Sequence, residues 1–475
     1  MHFDEEYFNS KEFQELLDSY EIGVEAGCQP FMDADDFVNI ADYYNMVGDY
    51  DKAVHTVDYA IQLYPDATLP NVFKAREALL KKDYETARQY ADKIASKDDP
   101  DYHYLVAEIL IAKGHIAQAD RYLRDYGLTV DSEEYQDFVK DCANLYIDYG
   151  ISDRAYEWMM RGKPDDSDDF KELMARTFFG LGKFDESERL FNELLDNNPY
   201  SKRYWNALAN TQFMKEDFTS AVTSSEYAIA IDPDDPEGLL SKANGLFRLN
   251  NYEDALNFYQ RYEEIVPDNE FELLHHGICL VYLGRKQEAV SVLENALQIA
   301  DEDSPYLIQI FQELAFCYSS LKKVEKALDI LDRIGEEDCD HVDLLVVRGH
   351  ILLENDRLEE AERSFREAIV LSDTSPYVLL RIIVSLYDNH YVKACYQLFK
   401  KFFLVLETTG EEFNDGYSYM AICCYDMGNK DEFLYYLRKA IEQNPDEARL
   451  VLGFMFPYGT EVKDYYDYMY HKLNQ

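Results

Sequence analysis

Two adjacent histidines and one glycine-rich stretch are the first candidates for chemistry in this chain. His275 and His276 are metal-ligand residue types, but neighbours on a helix point about 100° apart, and no H-E-x-x-H spacing brings two imidazoles onto one face. Gly180-x-Gly182-Lys183 resembles a phosphate-binding loop in composition only, because no strand precedes it. We therefore expect neither a metal site nor a bound nucleotide.

Acidic side chains are too numerous to identify a catalytic pair. Asp and Glu make up 93 of the 475 residues, so two carboxylates at any given spacing arise by chance. The chain also contains no G-x-S-x-G nucleophile motif. The sequence predicts no catalytic residue and no cofactor, and hence a protein that is not an enzyme.

The elements that position the side chains repeat along the chain. Small residues recur at intervals of 32 to 39 residues, and such residues are needed where two helices pack closely. The series is Ala53, Ala87, Ala119, Ala155, Ser187, Ala221, Ala255, Ala289, Ala327, Ala361 and Ala394, and Phe433 ends it. Since the two intervals of 38 and 39 residues exceed the rest, we expect longer loops near Asp301–Ser304 and Thr408–Asn414.

Each copy of the repeat has the pattern of two helices. Apolar residues fall three and four apart, which places them on one face of a helix. Between the two halves stand residues that tolerate a left-handed backbone, such as Gly48, Gly182, Asn250 and Gly428. The sequence predicts an all-α protein built from helix pairs.

The repeat resembles the tetratricopeptide repeat. Its clearest copy runs from Trp205, Leu208 and Ala209 to Ala221 and ends at a proline, in the order large, large, small, later alanine, proline. About twelve copies cover residues 34–445. The resemblance implies an α-solenoid, a right-handed superhelix of antiparallel helix pairs, with capping helix regions at 1–33 and 446–475.

The resemblance also implies where a ligand binds. In this family the first helices of successive copies form a concave groove, and their asparagine and basic side chains suit a peptide backbone or an acidic segment. Three phenylalanines at equivalent positions either line apolar pockets beside this groove or pack between neighbouring first helices. The predicted groove residues are Lys140, Asn144, Arg176, Phe179, Arg203, Asn206, Asn210, Phe213, Asn244, Phe247 and Arg248.

Part of this set is similar to the carboxylate clamp with which some tetratricopeptide proteins hold a peptide C-terminus. Lys140-x3-Asn144 matches the opening of that clamp, but Leu173 and Ala207 stand where an asparagine and a basic residue are expected. The sequence therefore favours a looser polar, locally basic floor over a complete clamp.

The net charge of −47 narrows the possible partners. Phosphate backbones and anionic membrane surfaces are repelled by such a chain, so neither nucleic acid nor membrane is expected as a ligand. The charge either attracts a basic partner or only keeps a long helical array soluble, and the sequence favours the second interpretation.

Cysteine usage and the chain start predict a cytoplasmic protein. The eight cysteines lie mostly on apolar helix faces, no C-x-x-C occurs, and no basic leader precedes an apolar run. No stretch approaches the roughly 18 apolar residues of a membrane span.

Two functions remain open from the sequence. The favoured one is a non-catalytic scaffold for protein–protein interaction, which binds a protein or peptide of unknown identity in the groove. The alternative is a regulatory or sensor protein whose superhelix changes pitch when a ligand binds.

Overall fold

The protein is all-α, as predicted. The computed structural model describes residues 5–8, 10–27, 31–301, 303–333, 341–410, 413–457 and 460–473, and these ranges contain helices and no strand. The chain divides into two compact units, Met1–Ile231 and Asp232–Gln475.

The described residues of the first unit form two leading helices and six helix pairs, each a first helix followed by an antiparallel second one. Its helices are α1 (Glu5–Phe8), α2 (Lys11–Glu25), α3 (Ala34–Met46), α4 (Tyr50–Leu63), α5 (Thr68–Leu80), α6 (Tyr84–Lys93), α7 (Pro100–Ala112), α8 (Ile116–Gly127), α9 (Tyr135–Asp148), α10 (Ser152–Met159), α11 (Asp168–Gly180), α12 (Phe184–Asn197), α13 (Lys202–Met214) and α14 (Phe218–Ile231).

In the second unit, the part of the chain that the structure describes forms six helix pairs and a C-terminal segment. Its helices are α15 (Pro236–Arg248), α16 (Tyr252–Ile265), α17 (Glu270–Tyr282), α18 (Lys286–Ile299), α19 (Leu307–Ser320), α20 (Val324–Asp332), α21 (His341–Glu354), α22 (Leu358–Leu371), α23 (Pro376–Asp388), α24 (Val392–Thr409), α25 (Tyr417–Asp426), α26 (Lys430–Gln443), α27 (Pro445–Leu452) and α28 (Tyr465–Leu473), with 3-10 turns at Gly453–Met455 and Val462–Asp464. Within each unit, helix pairs that follow one another in the sequence pack together, which is the arrangement of an α-solenoid.

The turn inside a pair has one recurrent backbone geometry. Gly48 has φ +80°, and the amide of Asp49 donates to the carbonyl of Tyr44 at 2.8 Å, which closes the end of α3. The side chain of Asp49 then accepts from the backbone amide of Lys52 and so caps α4. The predicted left-handed residues Gly182, Asn250 and Gly428 adopt the same geometry, with φ between +60° and +74°.

The small-residue series marks the buried contacts between helices, with one correction. From Ala53 to Ala361 every member of the predicted series is at most 1% exposed. At the eleventh position, however, Ala394 is exposed and Cys395 is fully buried. The period therefore continues through Cys395, one residue later than predicted.

The two long intervals have different structural causes. Between α18 and α19 the extra residues lie in a connection that includes Asp301, as predicted. Between α24 and α25 they mostly lengthen a helix, since α24 has 18 residues where α26 has 14. The prediction of a long loop at Thr408–Asn414 is therefore wrong for its first part, and residues 411–412 lie outside the described ranges.

Both end segments place aromatic side chains against a neighbouring helix pair. In the first unit Phe13 and Tyr20 of α2 are buried in one cluster with Phe37 of α3. In the second unit Phe456 stacks on Tyr465 with ring centroids 3.7 Å apart, in the same cluster as α26. The assignment of these segments as caps stays a prediction that this packing supports.

Glu447 joins the C-terminal segment to the start of α25. Its carboxylate accepts from the backbone amides of Gly416 at 2.7 Å and Ser418 at 3.2 Å, two donors that the helix itself leaves unpaired. We expect Glu447→Ala to lower the free energy of unfolding of the second unit by about 1–2 kcal/mol. Urea denaturation measures this loss, and Glu442→Ala on the exposed end of α26 serves as control. An equal loss in both variants would contradict the capping role.

The cysteines in the described ranges are free thiols on buried helix faces. The structure buries Cys142, Cys279, Cys317, Cys395, Cys423 and Cys424. Cys28 and Cys339 lie outside the described residues.

Candidate binding site

The predicted groove residues all lie on first helices of their pairs. Three of these helices belong to the first unit and one to the second, so the set falls into two separately described parts. Lys140 and Asn144 lie on α9, Arg176 and Phe179 on α11, Arg203, Asn206, Asn210 and Phe213 on α13, and Asn244, Phe247 and Arg248 on α15.

In the first unit, the structure brings Asn144 and Arg176 together around a carboxylate that the sequence analysis did not include. One guanidinium nitrogen of Arg176 donates to Asn144 Oδ1 at 3.0 Å, and the other donates to Asp148 Oδ1 at 3.1 Å. The amide of Asn144 donates in turn to Asp148 at 3.4 Å. These hydrogen bonds thus join Asn144 and Asp148 of α9 to Arg176 of α11.

The expected locally basic floor is not what the structure shows. Lys140 forms an ion pair with Asp137 at 2.7 Å, and Arg203 forms one with Glu172. Arg176 is likewise balanced by its neighbouring aspartate. Each of these three cations has a carboxylate partner within its own unit, so this surface is polar and charge-balanced rather than basic.

Several predicted groove residues serve the packing instead. Asn206 is only 2% exposed, which leaves it little surface to offer a ligand. Phe179 and Phe213 pack edge-on against the first residue of the following helix, Phe184 and Phe218, with centroids 5.7 and 5.2 Å apart. These contacts lie at the turn inside each pair and come in addition to the two sequence alternatives, which stay predictions for Phe179 and Phe213, since both rings are partly exposed.

In the second unit, the predicted residues on α15 contact both their own pair and the next one. Asn244 accepts a hydrogen bond from the hydroxyl of Tyr259 at 2.7 Å, and Phe247 packs edge-on against Tyr252. Phe247 also packs edge-on against His275 of α17 with centroids 5.4 Å apart, which agrees with the predicted packing between neighbouring first helices. Arg248 is exposed in the last turn of α15.

An open cavity lies elsewhere in the first unit, between α7, α8 and α9. Its volume is about 940 Å³, which is within the usual range of ligand sites. Its walls combine aromatic rings with six carboxylates and a single lysine. The lining residues are Lys97, Asp98, Pro100, His103, Tyr104, Tyr122, Asp125, Tyr126, Thr129, Val130, Asp131, Glu134, Asp137, Phe138 and Asp141. We call it the acidic aromatic pocket.

The aromatic rings of this pocket are fixed by contacts with one another. His103 stacks on Tyr126 with centroids 3.7 Å apart, and its Nδ1 lies 2.7 Å from the hydroxyl of Tyr122. Tyr104 donates to Asp141 at 2.9 Å. Burial lowers the pKa of His103, so its imidazole is neutral at pH 7 and adds no positive charge to the pocket.

The sequence contained one indication of this pocket. The third copy of the repeat ends at Tyr126-Gly127-Leu128 without the proline that ends other copies. In the structure, residues 128–134 connect α8 to α9 there and supply four of the lining residues. The carboxylates themselves could not be picked out, because acidic residues occur along the whole chain.

Comparison with known proteins identifies the family. Two models described as tetratricopeptide repeat match residues 173–236 and 342–373, which coincide with helix pairs of the structure. The chain is a tetratricopeptide repeat protein. A further model, described as anaphase-promoting complex, cyclosome, subunit 3, matches residues 214–296. Tetratricopeptide repeat proteins mediate protein–protein interaction and are generally not catalysts.

Curated relatives match only in part. The DnaJ homolog subfamily C member 7 homolog of Schizosaccharomyces pombe is 26% identical over 188 residues, which are 36% of this chain and 39% of that protein. Anaphase-promoting complex subunit 3 of the same yeast is 24% identical over 194 residues, 40% of this chain and 28% of that protein. The chain thus spans less than half the length of each of these relatives.

Solved tetratricopeptide structures resemble this one loosely. Yeast Tom70 has a TM-score of 0.41 at 15% identity and covers 89% of this chain and 94% of its own. YrrB, described as a TPR protein with an unusual peptide-binding site, has a TM-score of 0.35 at 17% identity and covers 40% of this chain and 95% of its own.

A helix that crosses a bilayer must be both long and mostly apolar. In the part of the chain that the structure describes, no helix has both the length and the apolar character needed.

Proposed function

We propose that this tetratricopeptide repeat protein is a non-catalytic scaffold that binds a basic segment of a partner protein in the acidic aromatic pocket. The observation that carries the proposal is the pocket's wall, in which Lys97 is the one lysine or arginine beside the carboxylates of Asp98, Asp125, Asp131, Glu134, Asp137 and Asp141. Lys140, outside the wall, forms an ion pair with Asp137, and negative charge remains in excess. A lysine or arginine side chain entering it meets negative charge and aromatic faces together.

The geometry favours a flexible chain segment over a small metabolite. All six carboxylates are exposed at the rim, whereas Phe138 is buried at 4% exposure and the tyrosine rings are half-buried. A partner can therefore place a methylene stem on the rings and its charged end among the carboxylates. The net charge of −47 adds long-range attraction for the same kind of partner.

The predicted groove remains part of this proposal as a second contact surface. Asn144, Arg176 and Asp148 present both donors and acceptors, which suits the backbone of an extended peptide. Helix α9 adjoins both surfaces, since it supplies Asp137 to the pocket and Asn144 to the groove. A segment bound in the pocket could thus extend along α9.

The test compares two variants of equal charge. The pocket variant combines Asp125→Asn, Asp131→Asn and Glu134→Gln. The control combines Asp18→Asn, Glu186→Gln and Asp196→Asn, which neutralises three exposed carboxylates of the same unit away from the pocket. The probe is a fluorescent lysine-rich peptide, and its affinity is measured by anisotropy at physiological salt.

We expect the pocket variant to weaken peptide binding by about tenfold or more and the control by less than about twofold. If both variants weaken binding equally, the attraction is general surface charge and the pocket is not the site. Asn144→Ala, which changes no charge, tests the groove in the same assay, and unchanged affinity would remove it from the proposal.

The regulatory alternative and the cytoplasmic location stay predictions. The first requires two arrangements of the helix pairs, and small-angle scattering with and without the bound peptide tests it: an unchanged radius of gyration would exclude the regulatory alternative.

A further inference from the structure

A buried carboxylate without a hydrogen bond stands out in the second unit. Glu272, in the first turn of α17, is fully buried, and neither of its side-chain oxygens has a hydrogen-bond partner among the described residues. An isolated buried carboxylate is costly, by several kcal/mol even after relaxation. Burial accordingly raises the pKa of Glu272. A carboxyl group in this position is stabilised either by keeping its proton or by a bound cation.

Two further ligand-type side chains converge on this carboxylate. His276 lies one turn further along α17, is 6% exposed, and has an Nδ1 that is also without a hydrogen bond. Glu263, on the preceding helix α16, is half-buried and reaches the same point. One donor atom from each of the three side chains lies within 4.8 Å of the other two.

The separations suit a shared metal ion better than direct hydrogen bonds. Nδ1 of His276 is 3.5 Å from Glu263 Oε2 and 3.6 Å from Glu272 Oε1. Hydrogen bonds from a nitrogen to an oxygen are most often about 2.7–3.2 Å long, so both separations are long for this interaction. In a tetrahedral site with bonds of about 2.0–2.1 Å, by contrast, two ligand atoms stand roughly 3.3 Å apart.

We propose that Glu263, Glu272 and His276 bind a divalent transition-metal ion of the Zn²⁺ type. One imidazole and two carboxylates favour such an ion over Ca²⁺ or Mg²⁺, which take oxygen ligands. A water molecule completes the coordination from the side of Glu263, where the site meets solvent.

The ion has a structural role in this proposal. Glu263 belongs to the second helix of one pair, whereas Glu272 and His276 belong to the first helix of the next. A metal bound to all three therefore ties α16 to α17, two helices that already pack together. It also balances the negative charge of Glu272 in the buried site.

A pair of neighbouring substitutions tests the site. Glu263→Gln removes a ligand, whereas Glu264→Gln makes the same chemical change at the next, exposed residue and serves as the matched control. Binding of Zn²⁺ to the full chain is measured by calorimetry in excess Mg²⁺, which occupies general acidic sites on this highly charged surface. Both changes are at or near the surface, so both variants should fold.

We expect Glu263→Gln to weaken Zn²⁺ binding by at least about tenfold and Glu264→Gln to leave it unchanged. His276→Gln should abolish the same binding event. Zn²⁺ should raise the melting temperature of the wild type and of Glu264→Gln, but not of Glu263→Gln, because only a folded-state site stabilises the fold. Absence of Zn²⁺ binding in excess Mg²⁺, or equal losses in the two neighbouring variants, would overturn the proposal.

Discussion

Replacement of Trp158 by alanine is expected to lower the free energy of unfolding of the first unit by about 3–5 kcal/mol. Trp158 is 1% exposed and lies on α10, which has only eight residues. Its ring packs edge-on against Phe138 with centroids 5.7 Å apart, and the guanidinium of Arg161 lies 4.1 Å above it. A helix so short has little stability of its own, so its position depends on packing, to which Trp158 contributes the helix's largest buried side chain.

The second tryptophan of the chain provides the matched control. Trp205 is half-buried, stacks on Tyr227, and donates from its indole nitrogen to the carbonyl of Pro199 at 2.9 Å. Trp205→Ala therefore leaves a smaller cavity and should cost less. Urea denaturation followed by circular dichroism gives the losses, and hydrogen exchange locates them. Equal losses, or unchanged exchange in α9 and α10 after Trp158→Ala, would contradict the prediction.

The helix-pair architecture could be predicted because it depends on features that every copy repeats. A small residue is required wherever two helices approach closely, so its period reports the fold directly. The same rule fails locally at Ala394 and Cys395, since two adjacent small residues fit the pattern equally well. Only the packing of α24 shows which of the two faces inwards.

The left-handed residues in the turns could likewise be predicted only in part. Glycine at positions 48 and 182 predicts a left-handed backbone. Lys82 and Glu216, however, occupy equivalent turns with φ of +57° and +63°. Such residues pay a conformational cost of about 1 kcal/mol there, which the packing of the flanking helices offsets. A propensity argument from the sequence assigns them no such geometry.

The candidate sites were harder to predict because their contacts join different helices. Arg176 meets Asp148 from 28 residues away, and Arg203 meets Glu172 from 31 residues away. In a chain with 93 acidic residues, no spacing rule singles out these partners. The sequence therefore located polar first-helix residues correctly on their helices, but it left out the carboxylates that balance them.

The histidine pair illustrates the same point. The sequence correctly predicts that His275 and His276 point in different directions. The Nδ1 of His275 lies 2.8 Å from the carbonyl oxygen of Phe271, away from the proposed metal site at His276. The sequence prediction considered only the two histidines and left out Glu272, which lies four residues before His276 on the same helix face. Glu263 comes from another helix, and only the structure brings it near.

Introduction of a leucine at Gly349 is expected to lower the free energy of unfolding of the second unit by about 3 kcal/mol. Gly349 lies on α21, where a Cβ atom would come closer than 3.0 Å to three ring carbons of Phe365 on α22. Phe365 is 7% exposed, so its ring has little room to move. The glycine thus makes space for the phenylalanine of its own pair.

Exchanging the small and the large residue, at positions 349 and 365, tests this explanation. Phe365→Ala alone should cost about 3–5 kcal/mol through the cavity it leaves. Independent effects would add, whereas the double variant Gly349→Leu with Phe365→Ala should lose clearly less than that sum, because leucine fills part of the cavity. Urea denaturation of the four proteins gives the coupling energy, with hydrogen exchange in α21 and α22 as the local measure. Additive losses would mean that Gly349 is required for some reason other than contact with Phe365.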